Sequence, residues 1–293
     1  MRFLVRLLCV LALGVLGCAE VVVGTGGDGG TAGTGGAGGV GGVGGTAGMG
    51  GTAGVGGMGG VGGAGGPPGE YQQNFELLDQ ASPTALGDNP SPPWGAGWLI
   101  FGFVTEPDGT FVEQYGTFPA PNGTDGFSGI ALGQGGPEQG EQQLVIFSDY
   151  GNTAQQMAGR RVEASTYRER TIAATDVGTT ITFSFDAKRG NINNPADPTC
   201  ISGNAEETPN PPCDSTAQAF VRTLLPPSFI QTNLKFVNTT ALPETWARYS
   251  ITLGPIVPDL EGQILQFGFA ATASNFEPSG VFYDNILVVA AAP

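Results

Sequence analysis

Between residues 70 and 293 apolar and polar residues alternate in short runs separated by turn residues. In GTTITFSFDAK (178–188), Ile181, Phe183 and Phe185 share one side, and Thr180, Thr182, Ser184 and Asp186 share the other. In GQILQFGFAATA (262–273), Leu265, Phe267, Phe269 and Ala271 alternate with Gln266, Gly268 and Ala270. QQLVIFSDY, AQAFVRTLL and TWARYSITL follow the same rule. A period of two places alternate side chains on opposite faces of a strand, and almost no stretch repeats at the helical period. Roughly ten or eleven such strands over about 220 residues predict an all-β chain folded as one two-sheet sandwich.

Two stretches break the pattern. SGVFYDNILVV (279–289) has strand character, yet it seats Asp284 and Asn285 between Tyr283 and Ile286. Both residue types are depleted in strands and costly to bury without partners, so Asp284 requires a charge or dipole from elsewhere. GNINNPADPTCISGNAEETPNPPCDSTAQ (190–218) is an insertion rich in Asn, Pro and Asp that carries Cys200 and Cys213. In an exported protein this pair reads as a disulfide closing a loop of about a dozen residues, worth about 2–3 kcal/mol. Two free thiols or a zinc site are the other readings, and zinc would need Cys or His ligands the mature chain does not supply.

The first part of the chain has no alternation at all. MRFLVRLLCVLALGVLGC begins with Arg2 and Arg6 and continues with a short apolar run, Leu7 to Leu16, as export signals do. Its exit, VLGC, resembles the lipobox of bacterial lipoproteins. The resemblance implies cleavage after residue 17 and acylation of Cys18, hence a membrane-anchored protein; an ordinary export signal with an incidental Cys is the other reading. Ala19 follows, where Asp in some Gram-negative bacteria retains lipoproteins at the inner membrane, so an outer-membrane or cell-surface address is implied. From Gly24 to Gly66, Gly occupies more than half the positions, largely in a Gly-Gly-X period. Such a run cannot bury enough apolar surface to offset its chain entropy, and residues 18–69 are expected to form a disordered tether. A coil of that length reaches roughly 35–40 Å. The organisation expected is therefore a signal over 1–17, a tether over 18–69 and one domain over 70–293.

Composition narrows the chemistry. There are 26 acidic and 11 basic residues, no His, and a net charge of −15 that becomes about −17 once Arg2 and Arg6 leave with the signal. This balance argues against nucleic acid, which needs a Lys/Arg surface. Without imidazole, Ser-His-Asp and Cys-His catalysis and His-ligated metals are excluded.

NFELLD (74–79) near the domain's start, with TWARYSITL, GQILQFGFAATA and GVFYDNILVV towards its end, resembles the jelly-roll carbohydrate-binding modules of the galactose-binding-domain-like superfamily. Those modules open on an N-x-x-F-E-like strand and close on DN-[ILV]-x-[LV]. The resemblance implies a jelly roll whose first and last strands share a structural calcium, with Glu76 and Asp284 supplying carboxylates; the other reading leaves both carboxylates solvated or hydrogen-bonded to turn amides. QQNFE lacks the Gly usual before Phe-Glu, which implies an offset first strand.

Sugar binding needs an aromatic platform with amides or carboxylates beside it. Trp94 and Trp98 flank GAG after a Pro-rich turn, and either rims a loop site or belongs to the core. Trp246 shares a side with Arg248, Ser250 and Thr252, which places it on a polar sheet face or in a structural role. FSDYGN (147–152) puts Asp149 and Tyr150 after a strand, as a polar rim or as an Asx turn. KRGN (188–191) reads as a solvated strand end. A hydrolytic carboxylate pair would be drawn from Asp149, Glu163, Asp186 and Glu113. The leading expectation is a lipid-anchored surface protein with a non-catalytic, carbohydrate-binding module. A structural or adhesive protein without a sugar site, and a carbohydrate-active hydrolase, are the alternatives.

Overall fold

A computed structural model of the chain describes residues 71–79, 86–87, 97–121, 127–149, 151–193, 213–274 and 277–292. Cys18, Trp94, Tyr150 and Cys200 lie outside them, so the expected acylation site, the Cys200–Cys213 pairing and two of the candidate aromatics fall outside the described residues.

The alternating segments become strands because each has one apolar side to bury. In order they are β1 (Tyr71–Gln73), β2 (Leu99–Thr105), β3 (Phe111–Pro119), β4 (Ser128–Leu132), β5 (Gln142–Ile146) and β6 (Arg161–Thr171). They continue with β7 (Thr180–Arg189), β8 (Thr216–Leu225), β9 (Ile230–Asn238), β10 (Ala247–Leu253), β11 (Ile264–Ser274) and β12 (Val281–Ala291). The one α-helix among the described residues, α1 (Thr153–Met157), is a single short turn between β5 and β6.

All paired strands run antiparallel. One sheet has the order β10-β7-β12-β5-β4 with β1 added against β12, and the other has the order β3-β2-β6-β11-β8-β9. From β5 to β12 the pairings nest: β5 lies beside β12, β12 beside β7 and β7 beside β10, while β6 lies beside β11 and β11 beside β8. This is the jelly-roll order, and it makes the domain a two-sheet β-sandwich.

The sides expected to be apolar meet between the sheets. Ile181, Phe183 and Phe185 of β7 and Leu265, Phe267, Phe269 and Ala271 of β11 are all buried, as is Tyr283 of β12. Trp98, just before β2, is fully buried among them, stacked 6.2 Å from Phe269 and edge-on to Phe267 at 5.4 Å. Its indole N–H donates to the Tyr71 hydroxyl at 2.7 Å. Of the two readings open for Trp98, the structure selects the core: it has no surface to offer a ligand.

The opening strand is offset. β1 is YQQ, not NFELLD. It pairs Tyr71, Gln72 and Gln73 with Val288, Leu287 and Ile286 of β12, and Asn74, Phe75 and Glu76 follow in a turn. Phe75 plugs the core at φ 63° and projects Glu76 the other way, towards the outer surface of the β12 sheet.

Candidate functional site

β12 is a junction. One edge pairs with β7 over Val281–Asp284 and Leu287–Ala291, while the other is shared by β5 (opposite Val281 to Tyr283) and β1 (opposite Ile286 to Val288). Between Asp284 and Leu287 a bulge interrupts the register with β7, and there Asn285 adopts φ 45°. Asn tolerates this left-handed conformation better than most residues, and a bulge re-aims the side chains it carries. Asp284 therefore occupies a strand position for a geometric reason.

The segment joining β4 and β5 (133–141) folds over this part of the sheet. Gln143, on the outward side of β5, is fully buried beneath it and donates to the carbonyls of Gln139 (2.9 Å) and Gly140 (3.1 Å). Asp186 of β7 sits opposite Asp284, and its carboxylate accepts from Arg248, Gln139 and Asn285 at 2.8–3.0 Å. Glu76 arrives from the turn after β1 and accepts the backbone N–H groups of Glu141 (2.9 Å) and Gln142 (2.8 Å) with one carboxylate oxygen. Gly140 has φ +61°, and a β-carbon there would lie 2.5 Å from that oxygen, so the loop can clasp Glu76 only through glycine.

Asp284 is fully buried, and its Oδ1 accepts from the Asn285 N–H. Its Oδ2 has no hydrogen-bond partner. No lysine or arginine pairs with it among the described residues. Burial, with the neighbouring charges of Glu76 and Asp186, pushes its carboxyl up to about 8. A buried carboxylate oxygen without a partner, facing two more carboxylates, suits a hard cation with oxygen ligands. The described residues contain no grouping of three His, Cys, Asp or Glu side chains able to hold a metal, so backbone carbonyls would have to complete such a shell.

A second feature lies on the same outer face. Phe282 pairs with Val145 on one side and Lys188 on the other, and Trp246 precedes β10 one residue beyond the Ala247–Ala187 pair. The core takes Tyr283, Leu144 and Ala187, so alternation turns Phe282, Val145 and Lys188 outward. Together with Phe147, Gln134 and Asn191 they line an open cleft of about 730 Å³. That volume falls within the range of small-molecule sites. The Lys188 ammonium lies 5.3 Å from the Phe282 ring centre and 5.4 Å from that of Trp246. The Trp246 indole N–H donates to the Gln134 carbonyl at 3.0 Å, which ties the aromatic to the β4–β5 loop. Arg189 and Glu244 form an ion pair at the rim. KRGN remains a strand end, and its four residues Lys188, Arg189, Gly190 and Asn191 all border the cleft.

Of the other candidates, Asp149 and Glu113 both lie beside Tyr115 of β3. Asp149 is 6% exposed, accepts from the Gly151 N–H at 2.8 Å as an Asx turn, and accepts the Tyr115 hydroxyl at 2.8 Å. It closes an edge of the sandwich and presents no rim. Glu163 lies on β6 of one sheet and Asp186 on β7 of the other, so they cannot share a substrate. Phe282, Phe147 and Gln134, which the sequence reading did not single out, become site residues only because the strand order gathers them. The one local sign was Phe282's outward parity in β12.

No protein-family model matches the chain, and no curated protein sequence matches it. Among solved structures, the enzymatically active domain of tailspike protein 4 from bacteriophage CBA120 superposes with a TM-score of 0.37 at 12% identity, over 73% of this chain and 21% of that one. The apo cyclase from Fischerella sp. gives a TM-score of 0.38 at 14% identity, over 76% of this chain and 97% of the cyclase. The C-terminal family 22 carbohydrate binding module of Clostridium thermocellum Xyn10B gives 0.32 at 14% identity, over 76% and 92%. Likenesses this distant carry no argument about this chain; the β-sandwich rests on its own strand pairing.

Proposed function

We propose that the domain binds carbohydrate without cleaving it, in the cleft on the outer face of the β12 sheet. The observation that carries this reading is the cleft's make-up: an aromatic floor from Phe147 and Phe282, Trp246 beside it, and amides and charged groups of Gln134, Asn191, Lys188 and Arg189 around it. Aromatic rings accept the C–H faces of a pyranose, and amides and charges satisfy its hydroxyls. The chain's own residues bind and orient a glycan here. The acidic residues named as hydrolytic candidates do not border the cleft, and Glu244, which does, is held by Arg189.

The buried carboxyl of Asp284 and the clasped Glu76 would hold a structural calcium ion, with carbonyl oxygens completing its shell. The ion would supply the charge that Asp284 lacks and would fix the β4–β5 loop through Glu76. The VLGC box and the Gly-rich run support an address outside the cell, in which acyl chains on Cys18 at the end of a tether would hold the domain to the outer membrane.

Affinity electrophoresis of the purified protein through gels containing a panel of plant, algal and bacterial polysaccharides tests the binding. Retardation by at least one polysaccharide is expected. Phe282→Ala and Trp246→Ala should each weaken it at least tenfold, with melting temperatures within a few degrees of wild type because both rings sit on the outer face. Mobility unchanged across the panel would favour the adhesive, sugar-free reading. Undiminished retardation of the two variants would move the site elsewhere.

A further inference from the structure

Lys188 is one of the basic residues of this acidic chain that form no ion pair among the described residues, and it is the one of them that borders the cleft. Acidic residues outnumber basic ones by more than two to one, so a surface cation has many carboxylates to choose from. Arg160, Arg170, Arg189 and Arg248 each have one, in ion pairs with Glu106, Asp176, Glu244 and Asp186. Lys188 forms no ion pair among the described residues, and its ammonium has one long hydrogen bond, 3.5 Å to the Gln134 side-chain oxygen. It is positioned between the rings of Phe282 and Trp246, which draw it over the cleft and away from the bulk acidic surface. Partial burial holds the ammonium below the ordinary lysine value, as expected of a charge partly desolvated without a compensating anion.

We infer that the cleft selects a carboxylate-bearing sugar, a uronic acid residue within a polysaccharide, with Lys188 as the residue that determines the specificity. This inference rests on the carbohydrate-binding reading of the same cleft. The geometry favours a uronate because its carboxylate projects from the edge of the pyranose ring. A ring lying with its C–H face on Phe282 has its edge towards the neighbouring strand, where Lys188 stands directly opposite Phe282. The ammonium is already aimed over the aromatic surface, so little side-chain freedom is lost when the carboxylate arrives. Asn191 at the rim accepts the Gly280 N–H with its Oδ1, which leaves its amide N–H₂ directed to other acceptors such as sugar hydroxyls. Arg189 adds no net charge, because Glu244 neutralises it, and the selection falls to one lysine. A single point charge pairs with any anion, so a sulfate ester on a sugar is the competing source of the same chemistry.

The test uses matched ligands. Oligogalacturonate, oligomannuronate and oligoglucuronate are each titrated by calorimetry against wild-type protein at 0.15 M salt, beside their methyl-esterified forms, which keep the ring and linkage and lose the charge. A sulfated galactan forms a further arm. Screening at that salt is effective beyond about 8 Å, so the protein's overall negative charge does not mask a contact ion pair. At least one uronate should bind about tenfold or more tighter than its methyl ester. Lys188→Gln should remove that difference, lowering affinity for the acid about tenfold more than affinity for the ester, and Lys188→Arg should restore most of it. Melting temperatures of both variants should match wild type, since the side chain covers only outer surface. Equal affinity for acid and ester in wild type, or a preference for the acid that survives Lys188→Gln, overturns the inference and leaves carbohydrate binding in place. Lys188-dependent binding of the sulfated galactan with no uronate bound overturns the choice of carboxylate. Failure to bind any glycan, charged or neutral, overturns the underlying reading as well.

Discussion

Removing divalent cations from the protein at pH 8 is expected to lower its melting temperature by on the order of 10 °C, and calcium should restore it. The reasoning begins with Asp284, fully buried with an oxygen that no donor reaches. Leaving a buried charge without its partner costs about 3–5 kcal/mol, and for a domain of roughly 200 residues each kcal/mol moves the midpoint by about 2–4 °C. The pH dependence follows from the same group. In the cation-free fold its carboxyl titrates at about 8, against 3.8 for an ordinary Asp, so between these values the unfolded chain has lost a proton that the fold retains. Stability contributed by this group is therefore present below pH 4, falls as pH rises from about 4 to about 8, and is flat above. With the cation bound, Asp284 is ionised in both states and the slope vanishes.

Asp284→Asn separates this group from every other that titrates. Asn keeps the volume and the acceptor facing the Asn285 N–H, but it carries no charge. In chelator at pH 8 the variant should be at least as stable as wild type. Calcium should then stabilise wild type alone. Because Glu76 also anchors the β4–β5 loop that contributes Gln134 to the cleft, chelation should weaken glycan binding in wild type as well. A wild-type midpoint indifferent to chelator at pH 8, together with parallel pH profiles for wild type and Asp284→Asn, would remove the cation from the account.

The second large effect concerns Trp98. Replacing it with Ala should cost about 3–5 kcal/mol in urea unfolding, the usual range for losing a large buried aromatic. The indole fills the space between Phe267 and Phe269. Its N–H serves the hydroxyl of Tyr71, whose ring also carries the Arg168 guanidinium 4.5 Å above its centre. Truncation opens a cavity and removes the donor to the buried Tyr71 hydroxyl of β1, so the joint between first and last strands weakens too. Trp98→Phe should recover roughly half of the loss, since it refills the volume without the N–H. Glycan affinity measured well below the midpoint should stay within twofold of wild type. A cost under 1 kcal/mol, or a loss of affinity in folded Trp98→Ala protein, would contradict the core assignment. Trp246→Ala should show the reverse: weak binding with nearly unchanged stability.

These two tryptophans show where sequence reading stops. Both lie beside strands of similar composition, and both were admissible as ligand platforms. The difference is which face the sheet turns inward at each position, and for Trp98 this depends on rings contributed by β11. Lys188 makes the same point. Locally, KRGN is a charged strand end. Its aromatic neighbours Phe282 and Trp246 come from β12 and from the start of β10, and only the order β10-β7-β12 sets them on either side of it. In the turn after β1, the missing Gly before Phe-Glu correctly signalled an offset strand, while the register that brings Glu76 near Asp284 is a property of the β1–β12 pairing.

The sequence alone determined the all-β class and the inward sides of the long strands, because a period of two is a local pattern that one chain segment carries complete. It also marked Asp284 as a residue needing a partner, because burial of a lone carboxylate is unfavourable in any fold. The tertiary structure decided which strands are neighbours, that the β4–β5 loop covers Asp284, that Trp98 is core, and that Lys188 and Phe282 border one cleft with Trp246 beside Lys188. Each of these is a contact between segments distant in the chain, fixed by the burial of all the strands at once and by no short stretch of residues taken separately.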